Sequence, residues 1–239
     1  MRVVAALLLA LAGCEATPPE DTQPVASNAQ VEAPALALLT SLPLAFPEDG
    51  FSLESSGSPV LDALEAQYAV HLIAAADAAS LEGTDLLLMA HAPAQTADGL
   101  VELDAWVRAG GRVLLLADPR LLWESSLPLG DRRRPLFAFP DTGLLGHWGV
   151  ALEGPQVSGP ELMGNDDSAV LVGARGHLVA TKEACRTESE GLVAVCTVGK
   201  GKALIIADAD FIMTGEGGLD GPTDGNLPFL MAQLARLQD

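Results

Sequence analysis

The sequence predicts a single α/β domain with a mainly parallel sheet flanked by helices. Three observations predict it. Short continuous apolar runs, Ala35–Leu39, Asp85–Met89 and Arg112–Ala117, have the length and composition of strands buried on both faces. Between them lie stretches with helical apolar spacing and recognisable caps. The order strand, helix, strand, strand, helix, strand is that of crossover connections, which cover the faces of a parallel sheet.

Each element has its own warrant. Ala35–Leu39 reads as a buried strand ending in the loop Thr40-Ser41-Leu42-Pro43. Ser58-Pro59 supplies an N-cap and a proline at the first helical position, and Val60, Leu61, Leu64 and Tyr68 follow at helical spacing. Val70–Ala74 is a second strand and Asp85–Met89 a third, with His91 and Pro93 in the loop beyond. Thr96 caps a helix whose Leu100, Leu103 and Val107 form one apolar stripe, and Gly110-Gly111 stops it. Arg112–Ala117 is a fourth strand, ended by Asp118-Pro119. Right-handed crossovers place Ser41, His91 and Asp118 near the carboxyl ends of their strands.

The second half is less regular. Residues 120–142 hold Pro128, Arg132-Arg133-Arg134, Pro135 and Pro140, which predicts a long excursion or lid. Leu144–Trp148 reads as a short helix closed by Gly149. Val170–Val172, His177–Thr181, Leu192–Val198 and Lys202–Ala207 read as strands, the last two joined by the tight turn Gly199-Lys200-Gly201. Asp208-Ala209-Asp210-Phe211 ends the last of them. Asn226 is placed to cap a closing helix to Leu237, with Pro228 tolerated in its first turn. The domain is thus expected over residues 35–239.

The N-terminus carries a different message. Met1-Arg2, an apolar run from Val3 to Leu11 and small residues before Cys14 form a secretory signal over residues 1–13. The run is too short to span a bilayer, which needs about 20 apolar residues. Leu11-Ala12-Gly13-Cys14 resembles the bacterial lipobox at all four positions, which implies lipidation of the Cys14 thiol. An ordinary signal peptide with an incidental cysteine is the plainer alternative. Glu15 follows where Asp would favour inner-membrane retention, so the resemblance implies a periplasm-facing lipid anchor with the outer membrane favoured. Residues 14–34 are rich in Pro, Ala, Thr, Gln and acids without an apolar period, the composition of a flexible tether.

Charge narrows the partners. The 13 Lys and Arg face 32 Asp and Glu, for a net charge of −19; cleavage before Cys14 removes Arg2 and no acid, giving −20. Such a chain repels nucleic acid and anionic head groups. Arg132-Arg133-Arg134 reads as a solvated loop or as a local anion or partner contact. Cys185 and Cys196 flank a polar turn, Arg186–Gly191, between two strand-like runs; in an exported chain their pairing is expected, against two unpaired small apolar residues.

Three stretches carry a family resemblance. The first runs from Asp85-Leu86-Leu87-Leu88 through Leu103-Asp104-Ala105-Trp106-Val107 and Gly110-Gly111-Arg112-Val113-Leu114-Leu115 to Leu116-Ala117-Asp118-Pro119. The second is Leu144-Leu145 with Trp148-Gly149-Val150, and the third Gly199-Lys200-Gly201-Lys202 through Asp208-Ala209-Asp210-Phe211 to Asn226, Phe229 and Leu230. Together they resemble the auxiliary domain of uncharacterised ABC transport systems, which includes gliding-motility auxiliary components. The resemblance implies a flavodoxin-like or glutamine amidotransferase-like fold. It departs from the amidotransferases in lacking a cysteine after a strand in a nucleophile elbow.

No Walker loop, Gly-x-Ser-x-Gly elbow or His-Glu-x-x-His helix is present. The candidate ligand-binding residues are the strand-end groups Ser41, His91, Asp118, Asp208 and Asp210. Crowded carboxylates there would raise one another's pKa and could hold a cation, water or a sugar hydroxyl, or they could simply cap loops. No catalytic residue, metal site or cofactor is assigned. The expected function is a lipid-anchored cell-envelope binding or scaffolding protein, associated with ABC transport and acting without catalysis. The alternative is a hydrolase or cation-dependent enzyme using the strand-end acids.

Overall fold

A computed structural model describes residues 33–46, 48, 58–164, 169–214 and 218–239. The signal peptide, Cys14 and all of the tether but Ala33 and Pro34 lie outside the described residues. At Pro34 the chain has already joined the domain, because its carbonyl accepts the Ala69 N–H at 2.9 Å.

Seven strands form one sheet. In chain order they are β1 (Ala35–Thr40), β2 (Ala69–Leu72), β3 (Leu86–Ala90), β4 (Arg112–Leu116), β9 (Cys185–Glu188), β10 (Val193–Val198) and β11 (Gly201–Ile206). Between β4 and β9 lie β5 (Val150–Glu153), β6 (Glu161–Met163), β7 (Val170–Val172) and β8 (His177–Ala180), which pair outside the sheet as β5 with β8 and β6 with β7. The sheet order is β2-β1-β3-β4-β11-β10-β9. Five strands, β2 to β11 in that order, run parallel; β10 and β9 extend the edge as antiparallel strands. The predicted α/β class with a mainly parallel sheet is therefore observed.

The apolar runs explain the order. Every residue of β3 is buried, as are the last four of β4, so both strands suit the middle of a sheet covered on both faces. β2 is short and leaves His71 and Leu72 exposed, so it sits at an edge. Helix α1 (Pro59–Glu65) starts at Ser58, whose Oγ accepts the Leu61 N–H. Helix α2 (Ala97–Ala109) starts at Thr96, whose Oγ1 accepts the Gly99 N–H at 3.1 Å. Its C-cap is Gly110 at φ 133°, a conformation that a Cβ would strain.

The helices divide between the faces. α1 and the closing helix α4 (Asn226–Gln238) pack Val60, Leu64, Leu230 and Leu234 against Leu36, Leu38, Leu88 and Leu204. α2 and the short α3 (Leu144–Trp148) pack Leu103, Val107, Leu145 and Trp148 against Ala37, Leu87, Leu115 and Ile205 on the other face. Neighbouring residues along each strand alternate between these two clusters, as a pleated strand requires. Among the described residues no helix is long and apolar enough to cross a membrane.

Two expectations are corrected. Asn226 does not cap α4: the N-cap is Gly225, and the Asn226 side chain is buried, accepting from Leu171 N and donating to the carbonyls of Leu171 and Phe211. A partner far along the chain outbid the local cap. The polar turn after Cys185 is shorter than predicted, because residues 185–188 are strand β9 and place Cys185 directly opposite Cys196 on β10.

That register brings the two thiols together, and they are joined as a disulfide. The bridge closes a loop with a sequence separation of 11. Closing a loop of this length constrains the unfolded chain by about 2–3 kcal/mol. We predict that reduction lowers the melting temperature in proportion, read by circular dichroism with and without reductant. Coincident melts would mean that the hairpin is already ordered in the unfolded ensemble.

Candidate functional site

The carboxyl edge of the parallel sheet gathers all five predicted residues. Ser41 follows β1, His91 follows β3, Asp118 lies two residues after β4, and Asp208 and Asp210 follow β11. His91, Asp118, Asp208 and Asp210 are fully buried.

The three acids form one cluster. Each offers a carboxylate oxygen within 4.8 Å of the other two. Their oxygens face backbone amides. Asp118 accepts from Arg120 N at 2.7 Å and from Ala209 N at 2.9 Å. Asp208 accepts from Gly173 N and Phe211 N, both at 2.8 Å. Asp210 accepts from Leu122 N at 2.9 Å on both oxygens. The carboxylates thus tie the excursion after β4 and the turn after β7 to the end of β11.

Burial without a cationic partner makes these groups weak acids. Burial first, then the charge of Asp118, pushes the Asp210 carboxyl up to about 7. Burial and the charges of Asp118 and Asp210 hold Asp208 well above the usual carboxylate range. Burial raises Asp118 too, opposed by its amide donors and by His91. The spacing of the oxygens would admit a cation, yet every oxygen already accepts an N–H, and shared protons neutralise the group equally well.

His91 stands apart from this cluster. It has φ 47°, which is uncommon for a residue with a Cβ. Its Nε2–H donates to the Leu136 carbonyl at 2.8 Å, and its Nδ1 is buried without a hydrogen-bond partner. Burial lowers its pKa, so the ring is neutral near pH 7. Ser41 Oγ donates to the main-chain carbonyl of His91 at 2.6 Å, not to the ring. A Ser–His–Asp relay needs the serine hydroxyl on the imidazole. The structure brings the residues to one edge but not into that relay.

No family model matches the chain, and no curated protein matches it. Solved structures share its fold. A cytoplasmic protein from Salmonella typhimurium LT2 aligns with a TM-score of 0.54 at 14% identity, over 85% of this chain and 99% of that one. A second cytoplasmic protein from Salmonella typhimurium gives a TM-score of 0.51 at 11% identity, over 85% of this chain and 98% of its own. An exo-β-1,4-mannosidase from an Opitutaceae bacterium gives a TM-score of 0.45 at 13% identity; the alignment covers 86% of this chain and 34% of the enzyme, so the chain spans about a third of the enzyme's length. At these identities the likeness to the two Salmonella typhimurium proteins is one of fold alone.

Several residues of this edge had no signal in the sequence. Gly173 donates to Asp208, and a Cβ there would overlap the Asp210 side chain. The Leu122 amide and the Leu136 carbonyl act through the backbone, where side-chain identity is silent. The excursion itself contains no helix or strand. It is held by Leu121 N on Phe137 O, Phe139 N on Asp118 O, and by Arg134, which donates to the carbonyls of Ser125 and Leu127.

Proposed function

We propose that this chain is a lipid-anchored protein of the bacterial cell envelope that binds or scaffolds without catalysis, as an auxiliary component of ABC transport. The observation that carries the non-catalytic part is the direction of the acids. All six carboxylate oxygens of Asp118, Asp208 and Asp210 accept backbone N–H groups, and none of the three residues reaches solvent. Groups so engaged position loops, and their burial keeps them from a substrate unless the edge opens. The Cys185–Cys196 disulfide suits an exported chain, since such bonds persist in oxidising compartments. The parallel strand order β2-β1-β3-β4-β11 follows the flavodoxin-like 2-1-3-4-5 pattern and supports the finer fold, shared with glutamine amidotransferase-like domains.

The alternative, a hydrolase at the same edge, draws on the Asp210 carboxyl near neutrality, where a proton donor and acceptor works best. It requires Asp210 to become accessible.

Affinity purification from the organism's own membranes, with mass spectrometry of co-purifying proteins, tests the first reading. Transporter subunits are expected with the parent chain. Cys14→Ala is expected to lose lipid labelling and move to the soluble fraction. A turnover that Asp118→Ala abolishes without unfolding the chain would overturn the non-catalytic reading.

A further inference from the structure

The sheet reverses its winding between β1 and β3. The chain leaves β1 through α1 on one face to reach β2, and leaves β3 through α2 on the opposite face to reach β4. Where winding reverses, the loops after the two strands diverge and open a crevice outside their carboxyl ends, the usual ligand position in open α/β sheets. Here that crevice is a cavity of about 490 Å³. Pockets that enclose small ligands span about 300–1,000 Å³.

Thr40 and Ser41 border the cavity, and their hydroxyls donate across the reversal to the carbonyls of Ala90 and His91. The walls are mostly apolar, with Leu42, Leu72, Ile73 and Leu127 among them. Two charged side chains reach it with unused bonding capacity. Within the arginine run, Arg133 clasps Asp131 and Arg134 bonds two carbonyls and lies over the Phe137 ring. Arg132 lines the cavity and, among the described residues, makes no hydrogen bond or ion pair. Glu48 uses Oε2 to accept from the Ser126 amide and hydroxyl, while its Oε1 is buried without a partner. A buried acceptor left without a donor is destabilising, and a donor from a ligand would remove that penalty. An unengaged guanidinium presents a fork that matches a carboxylate.

We propose that this cavity binds a short apolar peptide by both ends, its carboxylate on Arg132, its ammonium on Glu48 Oε1 and its side chains against the apolar walls. The inference deepens the binding reading above and rests on it. Peptide binding and partner capture are read separately, so either can fail while the other stands.

The test is isothermal titration of the purified full chain with the dipeptide Leu-Leu, with its N-acetyl form and with its C-terminal amide. The free dipeptide is expected to saturate one site, and each capped form to bind about tenfold more weakly or worse. Arg132→Gln should erase the preference for the free carboxylate and keep that for the free amine. Glu48→Gln should do the reverse. Unchanged melting temperatures show that both variants are folded. Absence of binding by the free dipeptide, or equal binding by the capped forms, would overturn the proposal.

Discussion

Raising the pH from about 5 to about 9 will lower the thermal stability of this chain, and Asp210→Asn will remove much of that loss. The Asp210 carboxyl sits at about 7 in the fold, against about 3.9 for an exposed Asp. A raised carboxyl favours the neutral form in the folded state. Its contribution is fully present below about pH 4 and is lost as the pH rises through about 7. From about pH 5 up to about 7, two pH units at about 1.4 kcal/mol each give a loss on the order of 3 kcal/mol, or roughly 6–12 °C for a domain of this size. The groups facing it are Asp118 and Asp208, both also raised, so they act with the same sign. His91 acts in the opposite sense. Burial depresses its pKa, so its contribution is present above about pH 6.5 and lost as the pH falls through its folded value. Maximum stability should therefore lie on the acid side of neutrality. Asn at 210 keeps an acceptor for Leu122 N and turns an N–H toward Asp118, without a charge at any pH. Calorimetric melts of both chains across the range decide the matter. Parallel pH profiles would show that Asp210 is not the group that titrates.

What the sequence made legible follows the reach of each interaction. Three parallel strands of the first half, β1, β3 and β4, were visible because burial on both faces forces continuous apolar runs. Ser58 and Thr96 were visible as caps because their partners are three residues away. Val150–Glu153 and Glu161–Met163 were not visible as strands. They are short, half exposed, and pair with β8 and β7 only through the fold. Asn226 misled for the same reason, since its partners are Leu171 and Phe211. The acids occupy an intermediate case. Their strand-end positions were readable from Asp118-Pro119 and Asp208-Ala209-Asp210, but their inward direction depends on Gly173 and Leu122, 35 and 88 residues from the acids they meet. Strand-end carboxylates look alike in sequence whether they face a ligand or a backbone amide. The difference lies in distant loops, and it separates a binding scaffold from an enzyme.

Among single changes at this edge, Asp208→Ala should cost the most. Asp208 is fully buried and accepts from Gly173 N and Phe211 N. Truncation leaves both amides without a partner in a region that excludes water, and each stranded donor costs about 1–3 kcal/mol. A total on the order of 3–5 kcal/mol is a large share of the 5–15 kcal/mol typical of a domain. Relief of repulsion on Asp118 and Asp210 offsets part of it, and more so at high pH. Asp208→Asn separates the two contributions. It removes the charge and retains one carbonyl oxygen, so it keeps one of the two amide bonds and should lose about half as much. Urea melts give the order expected, parent above Asn above Ala, with the gap between parent and Asn closing as the pH rises. Hydrogen exchange should quicken first at Gly173 and Phe211. If the Ala variant instead melts within about 1 kcal/mol of the parent, the amides have found water. The edge would then be open enough for the acids to meet a substrate, and the catalytic alternative would gain what the scaffold reading loses.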